Sequence, residues 1–538
     1  MSDVPTVPPP TPAQPGRSDE LPPPGNTRAL LRYLATNALT IMGAVAAAVF
    51  FVLLIAAVFQ DVFGGGMGHP YDGLIVYIML PSLFTAAVLF ALFGMALKYR
   101  EYRQILHGAP VPHPNRRRRV ITVVIATLVT LAWLGLSAFG TYQAYHYTDS
   151  NKFCGLVCHQ VMKPEYTAYT DSQHARVACV DCHIGPGASW FVRAKLSGMH
   201  QVYAVLTNTY HTPIKTPISN LRPAQDTCEQ CHWPGRFSGS VERVHTHFAS
   251  DEKNTPTSYH LLMKVGGGDV DRGIPKGAHW HVSPEWKVEY LPLDNARQDI
   301  PYVKVTFKDG RVEEYTTSAF KPEMLQQHSL RAMDCLDCHN RPSHVFRSPD
   351  LALNEAMTQG TISPSIPFVK KVAKAAMEGD PKAPYKTTTD AMAGIDKAFD
   401  EYYVKNPLPA DQKDALAKAK EQTKRLFALN IFPEQGVDYR AFINNVGHFE
   451  SKGCERCHDL KHKTADKSKS ISKECNACHT IVGQAFTTDE LKNMKYGSPE
   501  FKHPEDEVSL KKTCSSCHAI NKDEEGEGKG EKGSKSEK

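Results

Sequence analysis

The chain has 538 residues, with 14 cysteines, 24 histidines and a formal net charge of +5 at pH 7. This length is sufficient for two to four domains. A charge so close to neutral lacks the basic footprint of a nucleic-acid-binding protein, so the composition gives nucleic-acid binding no support.

The amino-terminal quarter of the chain predicts a membrane anchor. Residues 1–27 are rich in proline and cannot bury a core, so we expect them to be disordered. Apolar runs then cover residues 33–59, 74–97 and 120–139. The first run is far longer than the apolar core of a secretory signal peptide. Residues 28–145 are therefore predicted to form three transmembrane helices.

Positive charge predicts how these helices are oriented. Arg28 and Arg32 precede the first apolar run, and Arg116–Arg119 precede the third. Short loops rich in lysine and arginine stay on the cytoplasmic side, so we expect a cytoplasmic N-terminus. Residue 150 onward would then emerge on the opposite face.

All 14 cysteines fall in pairs whose second member is followed directly by histidine. In six of the seven pairs two residues separate the cysteines, which is the attachment signature of c-type haem. The two thiols add across the porphyrin vinyl groups, and the histidine becomes an axial iron ligand. Zinc sites and disulfides also use paired cysteines, but neither needs histidine at that position. The motifs are Cys154/Cys158/His159, Cys179/Cys182/His183, Cys228/Cys231/His232, Cys335/Cys338/His339, Cys454/Cys457/His458, Cys475/Cys478/His479 and Cys514/Cys517/His518.

Seven covalently bound haem c groups have two further consequences. Each haem carries two propionates, so the haem-bearing part becomes acidic when they ionise. Haem c is attached on the outer face of the bacterial inner membrane, which agrees with the orientation given by the arginines. The predicted location is therefore the bacterial inner (cytoplasmic) membrane, with several passes and with haem domains facing the periplasm.

The spacing of the motifs predicts the domain organisation. Residues 146–350 hold four motifs and a small β insert at 233–327, where Asp309-Gly310 between alternating runs indicates a hairpin. Residues 351–445 are rich in alanine and lysine and predict a helical connector, and residues 446–520 hold three motifs. Residues 521–538 are predicted to be disordered. The predicted fold class is a mainly α, membrane-anchored multihaem cytochrome c with little regular structure around the haems.

An electron-carrying haem needs a second strong axial ligand, usually histidine or methionine. Histidines close to a motif in the sequence are the best candidates, ahead of His247, His279 and His281. The selected residues are His174, His328, His344, His448, His462 and His503.

Residues 153–346 resemble the NapC/NirT family of membrane-anchored multihaem quinol dehydrogenases. The matching segments are FCGLVCHQVMKPEYTAYTDSQHARVACVDCH, CEQCH and QQHSLRAMDCLDCHNRPSH. The resemblance implies that membrane quinol is oxidised near the first haem and that electrons pass to periplasmic redox partners. It also places His174, His328 and His344 at distal-ligand positions. The whole chain is similar, more loosely, to heptahaem inner-membrane cytochromes of metal-respiring bacteria.

The first motif departs from the family pattern. Three residues separate Cys154 and Cys158, and Met162 comes three residues after His159. Either His159 or Met162 is therefore expected to bind the first iron. The family brings a helix with a lysine to this haem, which points to Lys195 and His200 as quinol-site candidates. Alternatively, Lys195 pairs with a haem propionate and His200 ligates an iron.

These features favour a quinol-oxidising cytochrome with seven haems. Electrons from the quinol pool, with menaquinol as the expected donor, would pass to periplasmic cytochromes or a reductase in anaerobic or extracellular respiration. Such an activity is of the quinol:cytochrome c oxidoreductase type. The alternative is a terminal reductase that acts on a small oxyanion or metal at a haem with an open coordination position.

Overall fold

The computed structural model describes residues 26–63, 79–107, 116–157, 159–185, 188–214, 221–267, 277–504 and 514–518, together with residues 22, 76, 216 and 218. The chain divides into two compact units. The first unit comprises Met1–Asp149 and Pro186–Ser197, and the second comprises Ser150–Gly185 and Gly198–Lys538. The disorder predicted for residues 521–538 and for most of residues 1–27 lies outside the described residues.

The first unit is built from long apolar helices. Its chain forms α1 (Thr27–Ala35), α2 (Ala38–Phe63), α3 (Leu80–Leu106) and α4 (Arg116–Thr148). The segments Ala38–Phe59 and Leu80–Leu106 are long and apolar enough to cross a membrane. The third predicted run lies within α4, whose crossing of the bilayer stays a prediction.

Small residues allow α2 and α3 to approach each other closely. A Cβ atom built on Gly43 would lie 2.6 Å from the backbone nitrogen of Ala91, and one built on Gly94 would lie 2.7 Å from Oγ1 of Thr40. The Asn37 side-chain amide also donates a 3.1 Å hydrogen bond to the carbonyl of Gly94. Small residues and interhelical hydrogen bonds are the usual means by which helices associate in lipid.

This contact predicts that Gly43→Leu destabilises the helix pair. The leucine side chain cannot fit against Ala91 without separating α2 from α3, and overpacking of this kind costs roughly 1–3 kcal/mol. Gly135→Leu on α4 is the matched control, because nothing lies within 4 Å of a Cβ atom at that position. Thermal unfolding of the full-length protein in detergent should show a lower midpoint for Gly43→Leu alone. Equal midpoints for the two variants would contradict this packing.

Four described helices lie among the first three motifs. They are α5 (His159–Thr170), α6 (Cys179–His183), α7 (Ala188–Leu206), which starts in the first unit, and α8 (Ala224–Thr227). Further short helices are α9 (Met324–Gln327) and α10 (Cys335–Cys338).

Two antiparallel sheets form in and beside the predicted β insert. The strands are β1 (Ser240–Phe248), β2 (Pro256–Lys264), β3 (Trp286–Leu291), β4 (Tyr302–Phe307), β5 (Val312–Thr316), β6 (Arg331–Ala332) and β7 (His479–Ala485). Their orders are β1-β2-β7 and β5-β4-β3-β6. The hairpin predicted at Asp309-Gly310 joins β4 to β5, with Gly310 at a φ of 84°.

The sheets extend beyond the predicted insert. β6 leads into the fourth motif, and β7 begins at His479 of the sixth motif. Both strands therefore attach motif segments to the insert, which makes it a scaffold for several motifs.

The predicted helical connector is a folded bundle with its own core. It comprises α11 (Pro349–Thr358), α12 (Val369–Glu378), α13 (Thr388–Lys405) and α14 (Lys413–Asn430). Leu353, Ile395 and Phe427 are at most 1% exposed in this core. After it come the last motifs, α15 (Thr488–Lys492) and α16 (Ser515–His518).

Candidate haem sites

Each described motif lies on a single helical turn. The turns include α6, α10 and α16 and the 3₁₀ turns Cys228–Gln230, Gly453–Arg456 and Cys475–Ala477. A helical turn places residues three apart on one face, so both cysteines of a motif point the same way. The amide of the following histidine closes the turn, as in the 2.8 Å bond from His339 to the Cys335 carbonyl.

The attachment cysteines are not uniformly covered by protein. Cys231 of the third motif and Cys517 of the seventh were both predicted to attach haem, yet both are exposed. Burial therefore gives no support to the prediction that these two thiols attach haem. Support comes instead from their position on a helical turn. Their backbone amides donate to the carbonyls of Cys228 and Cys514 at 3.2 and 3.1 Å, which holds each one on the same turn as the first cysteine of its motif. Other exposed motif cysteines are Cys182, Cys454 and Cys475.

The first motif has a wider turn. Residues Phe153–Val157 form one turn of π-helix, which accommodates the extra residue between its cysteines. Gly155 is buried against the ring of Tyr166, so closely that a Cβ atom would overlap that ring. Cys158 and the side chain of His159 lie outside the described residues. Met162, the alternative ligand, is half-buried on α5.

Six motif histidines each face a second histidine. The ring centres are 5.9–6.5 Å apart in all six pairs. The pairs are His183 with His344, His232 with His174, His339 with His279, His458 with His281, His479 with His448, and His518 with His503.

This separation fits an iron atom between the rings. An iron lies roughly 2 Å from each ligating nitrogen, which lies roughly 1.2 Å from its ring centre, so two axial imidazoles are about 6.4 Å apart. The residues present therefore suit haem c with two axial histidines at six motifs.

The protonation of these rings also suits metal binding. The Nδ1–H groups of His279, His344 and His458 donate to the backbone carbonyls of Val265, Glu165 and Ser472 at 2.6, 2.9 and 2.6 Å. His174 and His281 make similar contacts at 3.2 and 3.0 Å. Such bonds fix the tautomer that leaves Nε2 free to bind a metal.

Desolvation by the surrounding protein favours the neutral form of three of these imidazoles. It lowers the pKa of His183, His339 and His344 below the usual value for histidine. Neighbouring histidines lower the pKa of His339 further, including His279 and the facing pair of His232 and His174 at the third motif. Neutral imidazole is the form that binds iron.

Motifs that follow one another in the sequence are also neighbours in space. The thiols of two pairs are close enough to form a hydrogen bond. In the other pairs, one thiol is close enough for its charge to raise the pKa of the other. The neighbouring thiols are Cys154 with Cys179, Cys182 with Cys228 and Cys231, Cys228 with Cys335, Cys338 with Cys454, Cys454 with Cys478, and Cys475 with Cys514.

A further group links the last three motifs. His448, Glu455 and Cys514 bring potential ligand atoms within 4.8 Å of one another. His448 faces His479 of the sixth motif, Glu455 lies inside the fifth, and Cys514 begins the seventh. We therefore assign this cluster to the haem arrangement instead of to a separate metal centre.

Two predicted ligands have other positions. His462 is 1% exposed, and both its ring nitrogens are engaged, Nδ1 with Asp459 at 2.9 Å and Nε2 with the Ile300 carbonyl at 2.7 Å. It thus has a structural role in place of the predicted ligand role. His328 is exposed at the end of α9 and faces no motif histidine among the described side chains.

His279 and His281 were ranked below the candidates that lie near motifs, yet each faces a motif histidine. They occupy the turn Ala278–Val282 inside the β insert. The sequence feature that could have identified them is the His279-Trp280-His281 triplet, because it lies in a segment without haem motifs of its own.

The quinol-site candidates lie on α7. Nζ of Lys195 is 2.6 Å from Oδ1 of Asp149 and 2.8 Å from Oγ1 of Thr148. Sequence reasoning did not select Asp149, which directly follows the last residue of α4. His200 is exposed on the same helix, and the Arg193 guanidinium lies 5.4 Å from the centre of the Trp190 ring.

Comparisons with known proteins agree with the motif pattern. The profile of the NapC/NirT cytochrome c family, N-terminal region, matches residues 116–232. The cytochrome c-type protein ImcH of Geobacter sulfurreducens is 40% identical over 514 residues, which cover 92% of this chain and 97% of that protein. The cytochrome c-type protein NrfH of Wolinella succinogenes is 30% identical over 116 residues, or 20% of this chain and 65% of that protein.

No solved structure matches the chain. The extent of the similarity to ImcH nevertheless confirms the family resemblance that the motifs predicted. The chain belongs to the NapC/NirT family of membrane-anchored c-type cytochromes, whose haem is covalently bound.

Proposed function

We propose that the protein oxidises a membrane quinol, menaquinol in the first instance, and passes the electrons through seven haem c groups to a periplasmic acceptor. The observation that carries this proposal is the unbroken succession of neighbouring motifs, six of them with facing histidines. Haem c, when bound, accepts and releases one electron at a time at its iron.

The facing histidines favour electron transfer over substrate reduction. Each pair could supply two strong ligands to one bound haem, which would leave no open position there for an oxyanion. The terminal-reductase alternative would therefore be confined to the first motif, where Met162 or His159 is the proposed ligand.

Quinol oxidation must also release two protons, and the first unit offers an acceptor for one of them. The Asp149 carboxylate, 16% exposed, forms a 2.6 Å ion pair with the Lys195 ammonium, and we propose that it accepts a proton from a quinol hydroxyl. Lys195 would hold this carboxylate in place through their ion pair. In the sequence, Asp149 lies five residues before Cys154, the first cysteine of the first motif. His200 is the second candidate base.

The exposed face of α7 suits contact with lipid. Leu196, Met199, Tyr203 and Leu206 are 57–81% exposed and follow one stripe of the helix. An apolar stripe of this kind is typical of a helix that lies in the membrane surface, where quinol is available.

The wider assignment follows the sequence pattern. We propose a three-helix anchor at 28–145 with a cytoplasmic N-terminus, a four-haem domain at 146–350, the helical bundle at 351–445 and a three-haem domain at 446–520, all beyond the anchor being periplasmic. Periplasmic cytochromes or a reductase would accept the electrons in anaerobic or extracellular respiration.

The quinol role predicts a specific effect of Asp149→Asn. Removing the carboxylate should slow haem reduction by a menaquinol analogue roughly 10²–10⁴-fold, because proton transfer loses its base. Reduction by dithionite should be unchanged. The matched control is Asp171→Asn, which removes a carboxylate from an ion pair with Arg347. Stopped-flow spectroscopy of the detergent-solubilised protein measures both reactions. If no quinol reduces the haems of the wild-type protein, the proposed function is wrong.

The ligand assignment predicts different outcomes for substitutions of His448 and His462. His448→Ala should convert one low-spin haem to high spin, since it removes the ligand opposite His479. His462→Ala should leave every haem low spin but lower the free energy of unfolding by roughly 1–3 kcal/mol, because Asp459 and the Ile300 carbonyl lose their partner. Electron paramagnetic resonance and thermal unfolding separate the two effects. A loss of low-spin haem in His462→Ala would show that the assignment is wrong.

A further inference from the structure

A single short turn in the β insert presents histidines to two different motifs. The segment Ala278–Val282 is one turn of 3₁₀ helix that contains His279, Trp280 and His281. A 3₁₀ helix rotates about 120° per residue, so side chains two positions apart leave the turn in different directions. The two imidazoles therefore cannot serve one iron together, but they can serve two neighbouring irons.

Each imidazole faces one motif histidine. The ring of His279 is 6.5 Å from that of His339, with an angle of 12° between the ring planes. The ring of His281 is 5.9 Å from that of His458, at 86°. Nδ1 of each turn histidine is bonded to a backbone carbonyl, at 2.6 Å for His279 and 3.0 Å for His281. Nε2 is thus the nitrogen left for a metal on both rings.

The turn is held tightly in this position. Gly267 has a φ of 102°, and a Cβ atom there would lie 2.8 Å from the Trp280 backbone nitrogen. Trp280 stacks on Trp286 of β3 with 4.8 Å between ring centres, and the Trp286 indole donates a 2.5 Å hydrogen bond to the Trp280 carbonyl. Phe237 stacks on the His279 ring at 4.0 Å. These contacts limit the movement of both histidines.

The fourth and fifth motif loops are also fixed to each other. Arg456, inside the fifth motif, donates 2.7 Å and 2.8 Å hydrogen bonds to the carbonyls of Asp337 and Arg297. Asp337 lies inside the fourth motif, and its buried carboxylate accepts hydrogen bonds from Arg297, Arg331 and Tyr290 at 2.6–2.8 Å. The motif histidines and the turn therefore share one rigid frame.

We propose that this turn is a shared ligand turn, in which His279 binds the iron of the fourth motif and His281 binds the iron of the fifth. The inference rests on the proposed haem loading. It adds how the chain connects the four-haem segment to the three-haem segment. The fourth motif ends the segment that resembles the NapC/NirT family, and the fifth begins the following three-haem segment. One turn therefore fixes the geometry of the electron step between them.

The test uses the full-length, haem-loaded protein in detergent. His279→Ala and His281→Ala should each convert one low-spin haem to high spin, and the double variant should convert two. Added imidazole should restore the low-spin form. The controls are His211→Ala, which removes an exposed histidine, and His260→Ala, whose imidazole lies 3.3 Å from Glu242. Both should keep the wild-type count in electron paramagnetic resonance spectra.

A full low-spin count in both single variants would overturn the shared turn. If the alanine variants lose haem or fail to accumulate, His279→Met and His281→Met replace them. Each methionine variant should then show one haem with the magnetic circular dichroism of histidine–methionine ligation, and wild-type spectra for both would overturn the proposal. The result is independent of quinol chemistry, because dithionite-reduced and air-oxidised protein are sufficient. Normal spin counts without quinol reduction would reject only the proposed function.

Discussion

Two imidazole rings that face each other across about 6 Å constrain this protein more than any other contact. Each ring must be neutral, must aim Nε2 at the gap, and must be held by its other nitrogen or by packing. His344 meets all three conditions through burial and its hydrogen bond to the Glu165 carbonyl. His462 is more deeply buried, at 1% exposed, but uses both nitrogens on protein atoms, and this difference separates a candidate ligand from a structural histidine.

The pairing of the rings joins chain segments that are distant in sequence. His174 lies beside the second motif but faces His232 of the third, while His344 follows the fourth motif but faces His183 of the second. Each proposed haem would therefore connect two segments as well as carry electrons. This arrangement explains how a haem-bearing region with short helices and small sheets can be ordered. The larger hydrophobic core belongs to the α11–α14 bundle, which lies between the fourth and fifth motifs in the chain.

Local patterns predicted what depends on local chemistry. The cysteine–histidine motifs and the Asp309-Gly310 hairpin each fit within a few residues, each apolar run is continuous in the sequence, and the family resemblance followed from the motifs. The choice of second ligands depends on the tertiary fold, so closeness in the sequence selected His174, His344, His448 and His503 but gave no reliable partner for them. It also ranked His279 and His281 below the other candidates, although both face motif histidines from a separate β insert. Asp149 was missed since its contact with Lys195 joins the end of one helix to another.

Counting haems and their spin states in the wild-type protein tests the central claim most directly. Intact mass with a haem assay gives the number of haems per chain, and low-temperature electron paramagnetic resonance gives the number of low-spin irons with two histidine ligands. The seven motifs predict seven haems, and the six facing pairs predict that six of them show histidine–histidine ligation while the first is distinct in its coordination. Fewer than six such irons in fully loaded protein would contradict the pairing of the histidines and, with it, the proposed path for electrons.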